Sequence, residues 1–331
     1  MRLSPPGLPD SRIAGLDVAR GLAVLGMFVA HVLPDGRSEN LADGRSSVLF
    51  ATIAGISLGL LTGGPTPPGR GSRAQAVQRV ALRAVFLVLL GLVLWTLGSG
   101  IAIILDYYGA FFLVLLPVLF APRWVLGALA LAFVTAATAV LAVAPDDPRQ
   151  LIGGDLLLWL PTEWFVTGYY PGLVWLAYVL TGLLIARSDL RRRSTQAVLA
   201  IAGAVSALLG YGGAAVLGLD ASAHSNTLAE ALGAGGLAVA IVGVLSLITP
   251  PRAGVLRPLR DVGAMPLSIY TAQILVLALF RAAHPTGATD TEEWVLLAGL
   301  VVGSLLVAAV WRPLLGRGPL ERVLARLSAP A

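Results

Sequence analysis

The sequence predicts an all-α fold: a polytopic membrane protein of about ten transmembrane helices around a polar cavity. Three observations predict it. Apolar residues make up 57% of the chain and charged residues only 12%, against roughly 25% charged in soluble domains. The apolar residues gather into runs near the length of about 20 that crosses a hydrocarbon core. The arginines between those runs fall mostly on one side.

The ten runs lie near 14–33, 46–63, 80–98, 101–120, 123–144, 170–187, 195–217, 227–249, 263–283 and 293–312. The first opens with Asp17 and Arg20 and closes on His31. It is expected to be a retained span, because Ala30-His31-Val32 is not a small-x-small cleavage site. In the second, Gly55, Gly59 and Gly63 stand four apart, a spacing that permits close helix contact. The third and fourth are separated by Gly98-Ser99-Gly100, a tight turn. The fourth holds Asp106, Tyr107 and Tyr108. After the fifth, residues 145–170 are too interrupted to span and rich in Trp and Tyr, which reads as an interfacial or re-entrant element. The eighth follows His224, Ser225 and Asn226, and the ninth carries Tyr270 and Gln273. Pro117, Pro171 and Pro266 mark kinks or span entrances. Beyond the tenth, Leu320, Val323, Leu324 and Leu327 form one stripe of an amphipathic helix expected on the inner membrane surface, with Arg322 and Arg326 toward headgroups.

Threading ten spans with the N-terminus inside places Arg70, Arg73, Arg79, Arg83, Arg123, Arg187, Arg191, Arg192, Arg193, Arg252, Arg257, Arg260, Arg312, Arg317, Arg322 and Arg326 inside. Only Arg37, Arg45, Arg149 and Arg281 fall outside. Acidic residues, among them Asp35, Glu39, Asp43 and Asp146, fall mostly outside. This implies a multi-pass protein of a bacterial-type plasma membrane with both termini cytoplasmic. Three parts are expected: a cytoplasmic tail over 1–12, a transmembrane domain over 13–313, and a cytoplasmic amphipathic segment over 314–331. All 23 basic residues are arginine, and they are scattered in short loops. Topology therefore accounts for the high pI better than nucleic acid does.

The first run carries the chemistry. Asp17 and Arg20, three apart, are neighbours on a helix. Arg20 and His31, eleven apart, lie on nearly one face, roughly 16 Å apart along the axis. Singly, Asp17 reads as an interfacial cap, Arg20 as a snorkelling cation and His31 as an interfacial residue. Jointly they form a polar stripe. An arginine near a helix centre costs about 2.5–3.5 kcal/mol on insertion scales and generally faces the bundle interior. The stripe points to a hydrated cleft.

The stretch LDVARGLAVLGMFVAH resembles the opening of the transmembrane acyltransferase superfamily. Its arginine, ten residues and histidine resemble the signature of acyltransferase family three. The fuller phrase RIAGLDVARGLAVLGMFVAH is similar to the YeiB-like and heparan-α-glucosaminide N-acetyltransferase-like branch. SSVLFATIAGISLGL, HSNTLAEALGAGGLAVAIVGV and VGAMPLSIYTAQ resemble later segments of that branch. The resemblance implies about ten helices around a polar cavity, an acetyl-CoA or other acyl-CoA donor, and an acceptor hydroxyl or amine on an extracytoplasmic sugar. It implies His31 as base or nucleophile, Arg20 on the donor and Asp17 holding Arg20. The heparan-type histidine after the first span has no counterpart, since 32–45 contains no histidine.

Other residues carry two readings each. Arg70 and Arg73, with Arg79 and Arg83, either attract the anionic CoA head or only set topology. His224 and Ser225 either orient an acceptor or start a helix, Ser225 and Asn226 being good N-cap types. Asp106 and Tyr108 suit a cavity wall. Tyr270 and Gln273 share a face and either line that cavity or bond between helices. Glu163 and Trp164 either meet a sugar or anchor at the interface, and His284 reads as interfacial. No cysteine, three histidines and no HExxH argue against a metal site. GGPTPPGRGS lacks the lysine of a P-loop. The expected partners are membrane lipids, acyl-CoA and a sugar acceptor, with no nucleic acid, and an oligomer is compatible. The rivals are a small-molecule transporter, which should show paired broken helices, and a non-catalytic subunit with the same fold.

Overall fold

A computed structural model describes residues 13–33, 42–141, 149–153, 155–250 and 253–328, with single residues at 143, 145 and 147. The tail over 1–12 lies outside these residues, as do Asp35, Arg37, Glu39, Asp146 and Arg252 of the charge pattern. The helices are α1 (Ala14–Val32), α2 (Arg45–Leu61), α3 (Arg70–Trp95), α4 (Leu105–Val114), α5 (Arg123–Leu141), α6 (Arg149–Ile152), α7 (Leu156–Thr162), α8 (Gly172–Ala186), α9 (Arg193–Ala207), α10 (Gly213–Leu217), α11 (Leu228–Ile248), α12 (Arg257–Gly263), α13 (Pro266–Ala283), α14 (Asp290–Leu315) and α15 (Pro319–Leu327).

Among the described residues, seven helical stretches are long and apolar enough to cross a membrane: α1, α3, α5, α9 continued through α10, α11, α13 and α14. An eighth arises if Leu157–Thr167 and Gly172–Ala186, bent by 64°, count as one span. The runs at 46–63 and 101–120 form the shorter α2 and α4. By length alone the count among the described residues is therefore seven or eight, where about ten were expected. α4 is short because the chain tightens into a 3₁₀ turn over Leu116–Val118, where Pro117 supplies no N–H. Pro171 precedes α8 and Pro266 opens α13, both as span entrances.

α1 is the axis of the bundle. It packs against α2, α11, α12, α13 and α14. Its span is 61% buried, whereas that of α14 is 17% buried. Small residues set how closely the helices approach. A Cβ added at Gly55 would collide with the Val179 carbonyl of α8, and one at Gly182 with the Thr52 carbonyl of α2. The 55/59 part of the glycine spacing is thus an α2–α8 seam, while Gly63 lies in the following turn with φ +100°. Gly98 and Gly100 take φ of +64° and +71°, which makes the expected turn between α3 and α4.

Overpacking a tight helix seam costs about 1–3 kcal/mol. Gly55→Ala should therefore lower the thermal midpoint of the detergent-solubilised protein. Gly71→Ala, where an added Cβ meets nothing within 4 Å, should leave it unchanged or raise it. Equal midpoints for the two variants would show that α2 and α8 do not pack this closely.

Candidate active site

Arg20 is held by three helices. Its Nη1 donates to Asp17 Oδ1 at 2.6 Å and to the Gly263 carbonyl at 3.0 Å. Its Nη2 donates to Ser57 Oγ at 2.9 Å. The three-residue spacing on α1 supplies the carboxylate. Gly263 supplies a carbonyl because α12 presses on α1 there, and any side chain would strike the Asp17 carbonyl. The Arg20 and Asp17 side chains are 17% and 10% exposed. Their pairing is a short charge-assisted hydrogen bond between largely buried side chains.

The remaining face of Arg20 meets a cavity of about 260 Å³. Phe50, Ile53 and Leu58 of α2, Val80 and Leu87 of α3, and Phe112 of α4 make most of its wall apolar. Tyr108, Tyr270 and Arg83 add polar points. Glu321 and Leu324 of α15 close one side. Glu321 accepts from Leu267 N–H at 2.8 Å, Ser268 N–H at 3.1 Å and Ser268 Oγ at 2.5 Å, so α15 caps the start of α13. A carboxylate suits that helix N-terminus. Ser328 Oγ accepts from Arg83 Nε at 3.1 Å. The C-terminal stripe therefore docks on the bundle rather than only lying on the membrane. Arg322 likewise sits over the Trp311 ring at 5.4 Å instead of pointing to headgroups.

His31 lies one face along from Arg20, at the other end of α1. Its Nδ1 meets Gln273 Nε2 at 2.9 Å. Gln273 is 1% exposed and sits one turn beyond Tyr270 on α13. A second cleft, of about 360 Å³, is lined by His31, Phe280, Arg281, His284 and Glu293 among others. The two linings share no residue. Tyr270 faces the Arg20 cavity and Gln273 holds His31, so α13 carries the link between them. His284 goes beyond a plain interfacial residue: it stacks on Phe280 at 4.3 Å and reaches Glu292 at 3.4 Å.

His224 and Ser225 belong to a cluster just before α11. His224 Nε2 is 3.7 Å from Asp43 Oδ1. Buried Glu230 accepts from His224 N–H at 2.7 Å, Asn226 N–H at 2.6 Å and Ser225 Oγ at 3.3 Å. These bonds hold His224 and Asn226 in the left-handed region, at φ 61° and 55°. Tyr169, at 4.2 Å, and Trp175, at 6.0 Å, pack on the imidazole. The helix cap is neither Ser225 nor Asn226 but Thr227, whose Oγ1 accepts from Glu230 N–H at 3.1 Å.

Other expected site residues lie elsewhere. Asp106 Oδ2 accepts from Trp164 Nε1 at 2.8 Å, and Glu163 Oε1 accepts from the Tyr107 hydroxyl at 3.3 Å. Asp106 and Glu163 thus fasten the aromatic segment to α4 and line neither cavity described above. Tyr108 and Tyr270 do line the Arg20 cavity; Tyr108 donates to the Ser47 carbonyl at 3.4 Å, and Tyr270 accepts from Ile104 N–H at 3.3 Å. Arg70 is exposed at the start of α3, and Arg73 lies over the Phe120 ring at 4.9 Å. Neither reaches that cavity, whereas Arg83 does. Ser57, Gly263, Asp43, Glu230 and Glu321 were not singled out from the sequence as site residues. Only Glu230 carries a signal there, because Thr227-x-x-Glu230 is a capping-box spacing.

The family model of acyltransferase family three, described as an acyltransferase domain, matches residues 13–311. Arg20, His31 and Gln273 fall inside that range, and α15 falls beyond it. No curated protein matches the chain.

The Asp43 carboxyl sits below its ordinary range, chiefly through its hydrogen bond with His224, with partial burial opposing. A depressed folded-state value stabilises the fold above the unfolded value of about 3.9 and loses that contribution as pH falls through the folded one. Wild type should therefore lose more thermal stability on acidification below about pH 4 than Asp43→Asn does. Parallel acid limbs for the two proteins would show that the Asp43–His224 contact contributes nothing.

Proposed function

This chain belongs to acyltransferase family three, and from that premise we propose that it moves an acetyl or other acyl group from cytoplasmic acyl-CoA to a hydroxyl or amine of an extracytoplasmic glycan or glycolipid. The chain is a multi-pass membrane acyltransferase; donor, acceptor and direction are our reading. The observation that carries it is the division of labour along α1. Arg20 opens on one cavity and His31 on another, at opposite ends of one helical face.

The Arg20 cavity suits the pantetheine arm of the donor. Its apolar wall accommodates that arm, and the guanidinium supplies planar donors for one of its amide carbonyl oxygens. Asp17 and Ser57 fix that fork in place. The nucleotide end would remain outside, where Arg70 and Arg73 add attraction without a built pocket. The His31 cleft suits the acceptor: Arg281 and Glu293 offer hydrogen bonds to sugar hydroxyls, and Phe280 offers an apolar face. The Asp43–His224 cluster borders the same end and adds acceptor contacts.

His31 acts as general base. Its Nδ1 faces the Gln273 amide, whose rotation by 180° places Oε1 as acceptor for Nδ1–H. Nε2 then carries the free lone pair. With the pantetheine arm extended past Arg20, roughly 16 Å along α1, the thioester reaches His31, and the imidazole takes the acceptor's hydroxyl proton as its oxygen attacks the thioester carbon there. The tetrahedral oxyanion collapses, the carbon–sulfur bond breaks, and the proton passes to the leaving thiolate. No net proton or electron is left over. A transporter would call for paired broken helices, and the described residues hold one pair bent beyond 40°.

With labelled acetyl-CoA and purified protein, His31→Ala should cut acyl transfer by about 10²–10⁴-fold while donor binding persists. Retained transfer would remove His31 from the mechanism. Arg20→Lys keeps the charge and loses the fork, so it should weaken donor binding. Unchanged donor binding in that variant would remove the Arg20 cavity as the donor site.

A further inference from the structure

A third cavity, of about 480 Å³, lies between the start of α5, the end of α8 and the start of α9. It belongs to neither end of the proposed reaction path. Arg123, Arg187 and Arg192 line it, against a single carboxylate, Asp189.

Arg187 is the informative member. It is 6% exposed. Its guanidinium donates to the Gly59 carbonyl at 3.1 Å, the Gly64 carbonyl at 2.8 Å, Thr62 Oγ1 at 2.9 Å and the Leu119 carbonyl. Its Nε has no hydrogen-bond partner. Every partner is a neutral oxygen, so the hydrogen bonds are largely met while the charge is not. A buried cation without a counter-charge is costly. The positive-inside rule places arginines on this side of the membrane, but it does not bury one beside two others.

The rest of the cleft repeats the imbalance. Arg123 donates to Ser188 Oγ at 2.9 Å, a neutral partner. Arg192 pairs with Asp189 at 3.1 Å, but its side chain is 75% exposed and the pair is screened. α9 begins here with no side-chain cap, leaving N-terminal N–H groups beside Ser194 and Thr195. Guanidinium groups and an uncapped helix start together form a receptor for phosphate oxygens. On its far side the cleft runs onto Val198, which is 62% exposed among apolar neighbours.

We infer that this cleft binds a phosphate group, with an anionic lipid headgroup as the source: the phosphate meets Arg123, Arg192 and the α9 start, and an acyl chain follows Val198. Arg187 supplies background charge from beneath and stays bound to its carbonyls.

The test uses the full chain in detergent, mixed with phosphatidylglycerol, with phosphatidylcholine, or with inorganic pyrophosphate. Wild type should retain phosphatidylglycerol in preference to phosphatidylcholine. R123Q/R192Q should weaken that retention by about ten-fold or more, since each arginine near a charged surface contributes about 1 kcal/mol. Asp189→Asn removes the one opposing charge and should strengthen it, a gain that a folding defect cannot produce. If pyrophosphate binding is lost in the double variant while lipid retention is not, the phosphate site stands and its source is a soluble phosphate. If wild type and R123Q/R192Q bind all three probes alike, or wild type binds none selectively, the inference is overturned.

Discussion

A guanidinium inside an apolar bundle is costly unless protein meets its charge and its N–H groups, because lipid offers nothing. Much of this structure follows from meeting that demand for Arg20. Asp17 answers the charge from one turn away, Ser57 answers from α2, and the Gly263 carbonyl answers from α12. Each answer fixes a helix. α12 reaches α1 because residues 21 and 263 have no side chain: a Cβ at Gly21 would strike the Leu259 carbonyl, and one at Gly263 the Asp17 carbonyl. α2 in turn sits against α8 through Gly55 and Gly182. A site built this way is preorganised: its cation is positioned before any ligand arrives.

The same economy appears on α13. Its N-terminus is capped from outside by Glu321, its Tyr270 lines the Arg20 cavity, and its Gln273 holds His31. One helix therefore joins the C-terminal segment, the cavity and the imidazole. This arrangement makes α15 part of the cavity wall although it lies beyond the family-matched range. It places a cavity-lining surface in a stretch whose sequence reads as a membrane-surface helix.

The legible features were those carried by local spacing. The Asp17–Arg20 pair follows from three-residue helical neighbours, and the common face of Arg20 and His31 follows from eleven. The GSG turn, the Gly55/Gly59 seam and the role of Pro266 as an entrance were legible for the same reason. Long-range pairings were not. Nothing local tells that Asp106 meets Trp164, that Glu321 reaches α13, or that Asp43 reaches His224. Length alone does not fix the count of spans: the run over 46–63 forms a 17-residue helix, and that over 101–120 forms a 10-residue helix followed by a 3₁₀ turn at Pro117. Ser57 illustrates the limit most plainly: a serine in an apolar run often bonds back to its own helix, as it does here to the Ile53 carbonyl, and only the fold adds Arg20.

The central claim is that α1 presents Arg20 and His31 to opposite sides of the membrane. The chain contains no cysteine, so single cysteines report on each cavity alone. Ala54→Cys lies in the Arg20 cavity and Ala288→Cys in the His31 cleft. The most direct measurement is labelling of each with a membrane-impermeant thiol reagent, in sealed vesicles of known orientation. Ala54→Cys should react only from the cytoplasmic side, with protection by acyl-CoA, and Ala288→Cys only from the opposite side. Labelling of both from one side would contradict the claim.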